Sequence, residues 1–428
     1  MFGSVFDKVV EKIVLFSVIL FPLLIVLVKS GGTTVFGLTA ILSLVVFFTR
    51  AIKLKFSREE KLFFYSCLVF FLMSILVSYI GGIDKRAWTS IGRILNLLLA
   101  IPLYFLFKMY LKTINAVWYG LFFAVVMCGL AAIYEMNFGS YYHSKEFMVG
   151  RAKGATHPIL FADMTLSMTT MLLIAMTTIK EWNRKLALIA IVTTGFGVLA
   201  VILSQSRGAW VIMPVLFLMI LWQCRTRISI KLMSASLISL SILIVALYLI
   251  PATGLQKRLD TTFNNVQKYS EGTNKGSSIG SRFEMWQAAL VIFKDNPIVG
   301  VGWGDYKEEA KKLVDAKKFH PAAASWNNPH NQYLSVMASG GLMLSVALLM
   351  FIFIPMYLFR RSLLIDDSHI KSCALAGIIL IVAYMGYALS ESIFERSIPT
   401  TFYAFYLALF FALVNQRKET ILSEANDI

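Results

Sequence analysis

Charge is scarce in this chain: only 15% of its 428 residues are Asp, Glu, Lys or Arg, against about a quarter in soluble domains. With 58% apolar residues and a mean hydropathy of +0.71, an ordinary soluble fold is excluded. Cysteine is rare as well. Cys67, Cys128, Cys224 and Cys373 all lie in or at the ends of apolar runs. They build no disulfide framework, and no CxxC spacing offers a metal site. The two-residue alternation of a membrane barrel is also missing. No small-residue cleavage site precedes Lys29, so the first apolar block is expected to stay as an anchor rather than leave as a signal peptide.

What the chain does have is apolar runs of about 20 residues, the length that crosses roughly 30 Å of hydrocarbon as a helix. Twelve are expected, over 9–28, 33–49, 61–80, 91–110, 114–136, 157–179, 186–204, 209–223, 231–250, 331–359, 371–390 and 398–415. The fold class is therefore an all-α polytopic membrane protein with one large, partly helical loop. Three regions follow: helices one to nine in 1–250, the polar loop 251–330, and helices ten to twelve with a short tail in 331–428.

The net charge of +16 raises nucleic acid as a partner, but its distribution points elsewhere. With the N-terminus in the cytoplasm, inner loops and tails carry 20 Lys and Arg and the short outer loops 9. That is the positive-inside bias, and it puts the long loop on the outer face. Membrane lipid, not nucleic acid, is the expected surroundings.

Chemistry-capable residues gather on that outer face. Arg207 sits in "SQSRG", where two apolar helices turn. It either snorkels or offers its planar fork to a phosphate. Arg258 of "QKRL" and Arg282 of "GSRF" lie in the long loop. The loop is expected to hold short helices at 255–269, 281–294 and 305–319, with a linker over 270–280. The 281–294 pattern is that of an amphipathic helix on the membrane surface. In "NPIVGVGWGDY", glycines permit a tight turn or close backbone approach to a ligand.

"NNPHNQYL" reads as a helix start, with Asn328 as N-cap, Pro329 at the first position and His330 in the first turn. The positive end of that helix would keep the imidazole neutral, as a general base requires. Glu391 is 20 residues past Lys371, about 30 Å along a helix, so it emerges on the same face as His330. It either pairs with nearby Arg396 or orients His330. Arg93 near the outer end of the fourth span snorkels or faces a polar cavity. Arg151 and Lys153 face an anion or solvent, Tyr141 and Tyr142 fit an interfacial belt, Thr156 is the expected cap of span six, and Asp163 needs a partner or a watery cavity. Outer carboxylates form no DxD or cluster, so no metal and no cofactor are expected; arginines would neutralise a leaving diphosphate instead.

On "LSQSRGAW", "LQKRLDTTFNN", "IGSRFEMWQAALVIFKDNPIVG", "NPHNQYLSVMASGG" and "LSESIFERSIP", in that order, the chain resembles the O-antigen ligase family of bacterial inner-membrane glycosyltransferases, within a wider ligase/polymerase superfamily. The resemblance implies a GT-C-like architecture. It also implies transfer of O-antigen polysaccharide from undecaprenyl diphosphate to a sugar hydroxyl of lipid A–core, at the periplasmic face. Carried over, Arg207, Arg258 and Arg282 look like diphosphate-binding arginines and His330 like the base, with Glu391 where the family has an acidic residue. Some members carry a second histidine just before the base; here "NNPHN" has only His330. An O-antigen polymerase or a protein O-oligosaccharyltransferase would use the same donor. A lipid-linked glycan transporter is the alternative without chemistry, though no inverted repeat is evident.

Overall fold

The computed structural model describes residues 2–50, 56–82, 85–139, 150–179, 183–225 and 255–426, with isolated helical positions between 238 and 249. Tyr141, Tyr142 and most of the expected span 231–250 lie outside the described residues. Among the described residues there are helices and no strands. The first nine are α1 Phe2–Leu27, α2 Gly31–Thr49, α3 Arg58–Gly81, α4 Lys85–Leu98, α5 Ala100–Tyr110, α6 Asn115–Phe138, α7 Pro158–Met176, α8 Arg184–Leu203 and α9 Arg207–Cys224. The loop region then holds α10 Leu255–Ser270, α11 Gly280–Asp295 and α12 Tyr306–Asp315. The chain closes with α13 Gln332–Ser362, α14 Ser368–Tyr387 and α15 Ser397–Asn426. Eleven segments among the described residues are long and apolar enough to cross a membrane, with α4 and α5 together making one of them. The protein is an all-α polytopic membrane protein.

The most buried spans are α7 and α15, so the bundle is built around them. α15 brings a file of aromatics to that centre. Phe405 stacks on Phe21 of α1 with centroids 4.0 Å apart, and Tyr403 meets Tyr384 of α14 at 4.7 Å. Such offset pairs add to what close packing contributes in lipid, where no hydrophobic force draws helices together. At the end remote from His330, ion pairs tie helix ends: Lys418 to Glu59 at 2.7 Å, Arg417 to Asp367 at 3.0 Å and Lys108 to Glu60 at 2.8 Å.

The polar loop is expected as a surface layer, and its helices are where expected, but α11 is not laid on the membrane. Its apolar face, Met285, Ala288, Ala289 and Ile292, is buried in a second small core with Tyr306, Ala310, Ala323 and Ala338. The Tyr306 hydroxyl donates to the Met285 and Ala323 carbonyls, each at 3.0 Å. Protein, not lipid, covers that face, and α11 becomes a rigid strut against the start of α13.

The glycine motif explains how the strut is fixed. α13 is broken at Gly341, whose φ is 57° and ψ −152°, so carbonyls before the break and N–H groups after it lose their helical partners. The 297–302 segment supplies replacements. Val301 N–H donates to Ala338 O at 3.1 Å and Gly302 N–H to Ser339 O at 2.9 Å, while Leu342 and Met343 donate to Pro297 O and Ile298 O at 2.8 and 3.1 Å. Non-helical backbone at the edge of a membrane is tolerated when it is satisfied in this way. The close approach is thus to the chain's own helix: a Cβ at Gly300, where φ is +66°, would sit 2.3 Å from the Ser339 carbonyl carbon. Gly300→Ala is expected to destabilise the protein by about 2 kcal/mol or more, seen as a lowered thermal midpoint in detergent. An unchanged midpoint would mean the strap does not hold α13.

Candidate active site

His330 precedes α13 rather than opening it. The N-cap is Asn331, whose side chain accepts from Leu334 N–H at 3.1 Å. Asn328 is not the cap: its Oδ1 accepts from His330 N–H at 3.2 Å and its Nδ2 donates to Glu395 at 3.1 Å. Two side-chain carbonyls therefore divide the turn between them, and His330 is left in the left-handed region at φ 50°. Such a conformation in a residue with a Cβ persists only where neighbours over-determine it. Trp286 of α11 donates its indole N–H to Pro329 O at 2.9 Å. From the other side, Gln332 N–H donates to Ala388 O at 2.8 Å and Phe394 N–H to the Gln332 side chain at 2.8 Å. The segments 328–335 and 388–395 are laced together.

That lacing brings Glu391 under His330. Nδ1 of His330 lies 3.1 Å from Glu391 Oε1, and the same oxygen is 3.3 Å from the Arg396 guanidinium. The two alternatives for Glu391, partner of Arg396 or of His330, are both realised. Burial pushes the Glu391 carboxyl up, but the His330 hydrogen bond and the charges of Arg396 and Arg282 outweigh it and hold the pKa at about 2. An ionised carboxylate only accepts, so Nδ1 carries the hydrogen, and in the neutral ring the lone pair is on Nε2. His330 thus has the tautomer of a base held by an orienting acid.

Cations near this turn come from separate parts of the chain. Arg282 stands one turn before Trp286 on α11, and it is close enough to Glu391 for their charges to interact. Arg207 begins α9, and the next residue, Gly208, packs directly on Ser390: a Cβ there would be 2.5 Å from the Ser390 hydroxyl. The α9 N-terminus is therefore against the turn that holds Glu391. Arg258 lies on α10, and its side chain is outside the described residues. Arg151 is half-buried and donates to the carbonyls of Ser204 at 2.9 Å and Gln205 at 3.3 Å at the end of α8. Lys153 is buried, and Asp163 is buried on α7 with its main-chain carbonyl accepting from the Tyr387 hydroxyl at 2.9 Å.

Sequence reasoning missed several neighbours. Trp326 stands edge-on to the His330 ring, centroids 5.4 Å apart. His157, rather than Thr156, caps α7, with Nδ1 accepting from Ile159 N–H at 3.3 Å. Burial and the charges of Arg151 and Arg396 lower its pKa to about 4. With Nδ1 accepting, its Nε2 carries the hydrogen, so His157 is a donor and not a second base. A cavity of about 560 Å³ opens at His330, lined also by Arg86, Arg93, Trp326, Asn328 and Arg396. Arg93 faces this polar cavity. Arg86 and Trp326 had no sequence signal beyond being polar or aromatic in a loop. Among the described residues no three His, Cys, Asp or Glu side chains group as a metal ion would require.

Over 387 residues the chain is 28% identical to an uncharacterized protein of Haemophilus influenzae, covering 90% of this chain and 94% of the other. Residues 189–349 match the family described as O-Antigen ligase. That stretch contains Arg207, Arg258, Arg282 and His330, and stops short of Glu391. Over that stretch the chain is similar to the O-antigen ligase family.

Proposed function

We propose that this protein is an O-antigen ligase, transferring polysaccharide from undecaprenyl diphosphate to a sugar hydroxyl of lipid A–core at the periplasmic face of the bacterial inner membrane. The contact between His330 Nδ1 and the buried Glu391 carboxylate, 3.1 Å beside an open cavity, carries the reading. The acceptor hydroxyl gives its proton to His330 Nε2 as its oxygen attacks the anomeric carbon of the donor. The bond from that carbon to the diphosphate oxygen breaks, and the configuration inverts. Glu391 holds the imidazole and stabilises the imidazolium that forms. Arg207, Arg258 and Arg282 neutralise the departing diphosphate, work that otherwise falls to a divalent metal. The three regions divide the labour: 1–250 and 331–428 hold the site at the membrane surface, and 251–330 covers it.

The test is purified protein with undecaprenyl-diphosphate-linked glycan and either lipid A–core or a second lipid-linked glycan. Product on lipid A–core is expected; product only on the second lipid-linked glycan would make the protein a polymerase, and none on either would remove the transferase reading. In the same assay Arg282→Lys should lower kcat/KM by about 10-fold or more, since the lysine keeps the charge but loses the two-pronged donation to phosphate. Normal turnover by that variant would mean a point charge suffices at 282.

A further inference from the structure

Arg93 faces the cavity and takes no part in the proposed chemistry. It lies on α4 and is half-buried. Arg86 is drawn off by Asp305 at 3.8 Å and by Glu308, and Arg396 by Glu391. No hydrogen bond or ion pair joins Arg93 to another described residue. The nearby acid, Glu395, is held by hydrogen bonds from Ser335 and Asn328. Burial keeps its carboxyl above the usual range despite those bonds and the charges of Arg93 and Arg396, so it is a poor counter-ion. A guanidinium at the edge of hydrocarbon without a counter-ion is costly unless a ligand supplies the anion.

The cavity has an apolar continuation. A groove of about 320 Å³ is lined by Phe36, Gly37, Ala40, Leu44, Leu99 and Thr401, and Ser397 lines both spaces. Arg93 and Asn96 are one turn apart on α4, as Ser397 and Thr401 are on α15, and Asn96 reaches Thr401 at 3.4 Å. One helical face thus runs from guanidinium to hydrocarbon. Gly37 leaves the groove open, since a Cβ there would meet nothing within 4 Å, and exposed Ile41 beside it faces lipid. Arg207 and Arg282 line neither space.

From this juxtaposition we propose that the Arg93 cavity and the α2–α4–α15 groove form the acceptor site, seating a phosphate of the lipid-anchored acceptor on Arg93 and its acyl chain against Phe36 and Leu44. The inference rests on the transferase reading, in which the donor diphosphate belongs to Arg207 and Arg282. A second, separate cation with its own apolar channel suits a second amphiphile, and a catalyst joining two lipid-anchored molecules needs two such seats opening on one base.

The full chain in nanodiscs tests it by equilibrium binding of lipid A–core and of its phosphatase-treated form, alongside steady-state transfer. Wild type should bind the phosphorylated form about 10-fold or more tightly than the treated one. Arg93→Gln should erase that preference and raise the acceptor KM with the donor KM unchanged. Gly37→Phe should weaken binding of both forms, again sparing the donor KM, which also shows that the variants are folded. A rise in donor KM alone would assign the cavity to the donor and overturn the proposal. So would unaltered acceptor binding in both variants, which would leave the groove to bulk phospholipid, or equal wild-type affinity for the two forms. Should wild type transfer nothing, the ligase reading falls while the binding comparison still decides whether this seat exists.

Discussion

His330→Ala is expected to lower glycan transfer by about 10²- to 10⁴-fold in kcat, the range a positioned general base supplies, while leaving donor affinity close to wild type. Donor binding is assigned to arginines on α9, α10 and α11, elements separate from the turn that carries the imidazole. The nearby His157 offers no rescue, because its Nδ1 is committed as acceptor from Ile159 N–H and its Nε2 therefore presents a hydrogen. The loss should be visible as accumulated lipid-linked glycan in cells and as absent product with purified protein. Removing the ring also takes away the contact to Trp326 and the left-handed position at 330 remains for alanine to adopt. A His330→Asn control, tolerant of that conformation, separates strain from lost base: both variants should be equally inactive, with the asparagine variant the more stable. Near-normal turnover by either would remove His330 as the base.

The sequence exposed the bundle because a lipid solvent demands long apolar runs, and that demand is written residue by residue. The site was legible in part for a similar reason: Arg207, His330 and Glu391 are polar groups at the ends of apolar spans, where little else is, and Arg282 lies in the one long polar loop. What stayed hidden was decided by pairing in space. Nothing in "NNPHNQ" says which of two asparagines caps the helix; Asn331 does because Asn328 is taken by His330 N–H and Glu395. The amphipathic pattern of α11 does not say whether lipid or protein covers its apolar face, and the strap at Gly300 that seats it depends on a helix break 41 residues later at Gly341. Arg93 could be read as snorkelling or facing a cavity from its position alone. The cavity it faces is made by segments distant in sequence, the 326–330 turn and the 395–397 turn closing on α4.

Glu391→Gln carries the second large effect, expected at about 10²- to 10⁴-fold in kcat, by the same logic that makes the orienting acid of a hydrolytic triad indispensable though it never touches substrate. The amide has nearly the same shape, so packing around it should hold. It offers an NH₂ as readily as a carbonyl to Nδ1, and it cannot stabilise an imidazolium by charge. It also leaves the Arg396 guanidinium without its carboxylate. The pH dependence distinguishes this from general damage. The folded pKa of Glu391, about 2, lies below the ordinary 4.5. The stability the charge contributes is therefore fully present above about 4.5 and is lost as pH falls through 2. Between pH 5 and 8 Glu391 stays ionised, so any acid-side fall in kcat within that range belongs to another group. Glu391→Gln should lower the plateau, and because the variant lacks the carboxylate's contribution at every pH, its midpoint should show no corresponding decline between pH 4.5 and 2. The measurement is kcat and thermal midpoint against pH for wild type and variant in one detergent. A variant with wild-type kcat would show that Glu391 serves Arg396 alone, and a wild-type midpoint with no decline beyond that of the variant between pH 4.5 and 2 would show that its charge does not hold the site together.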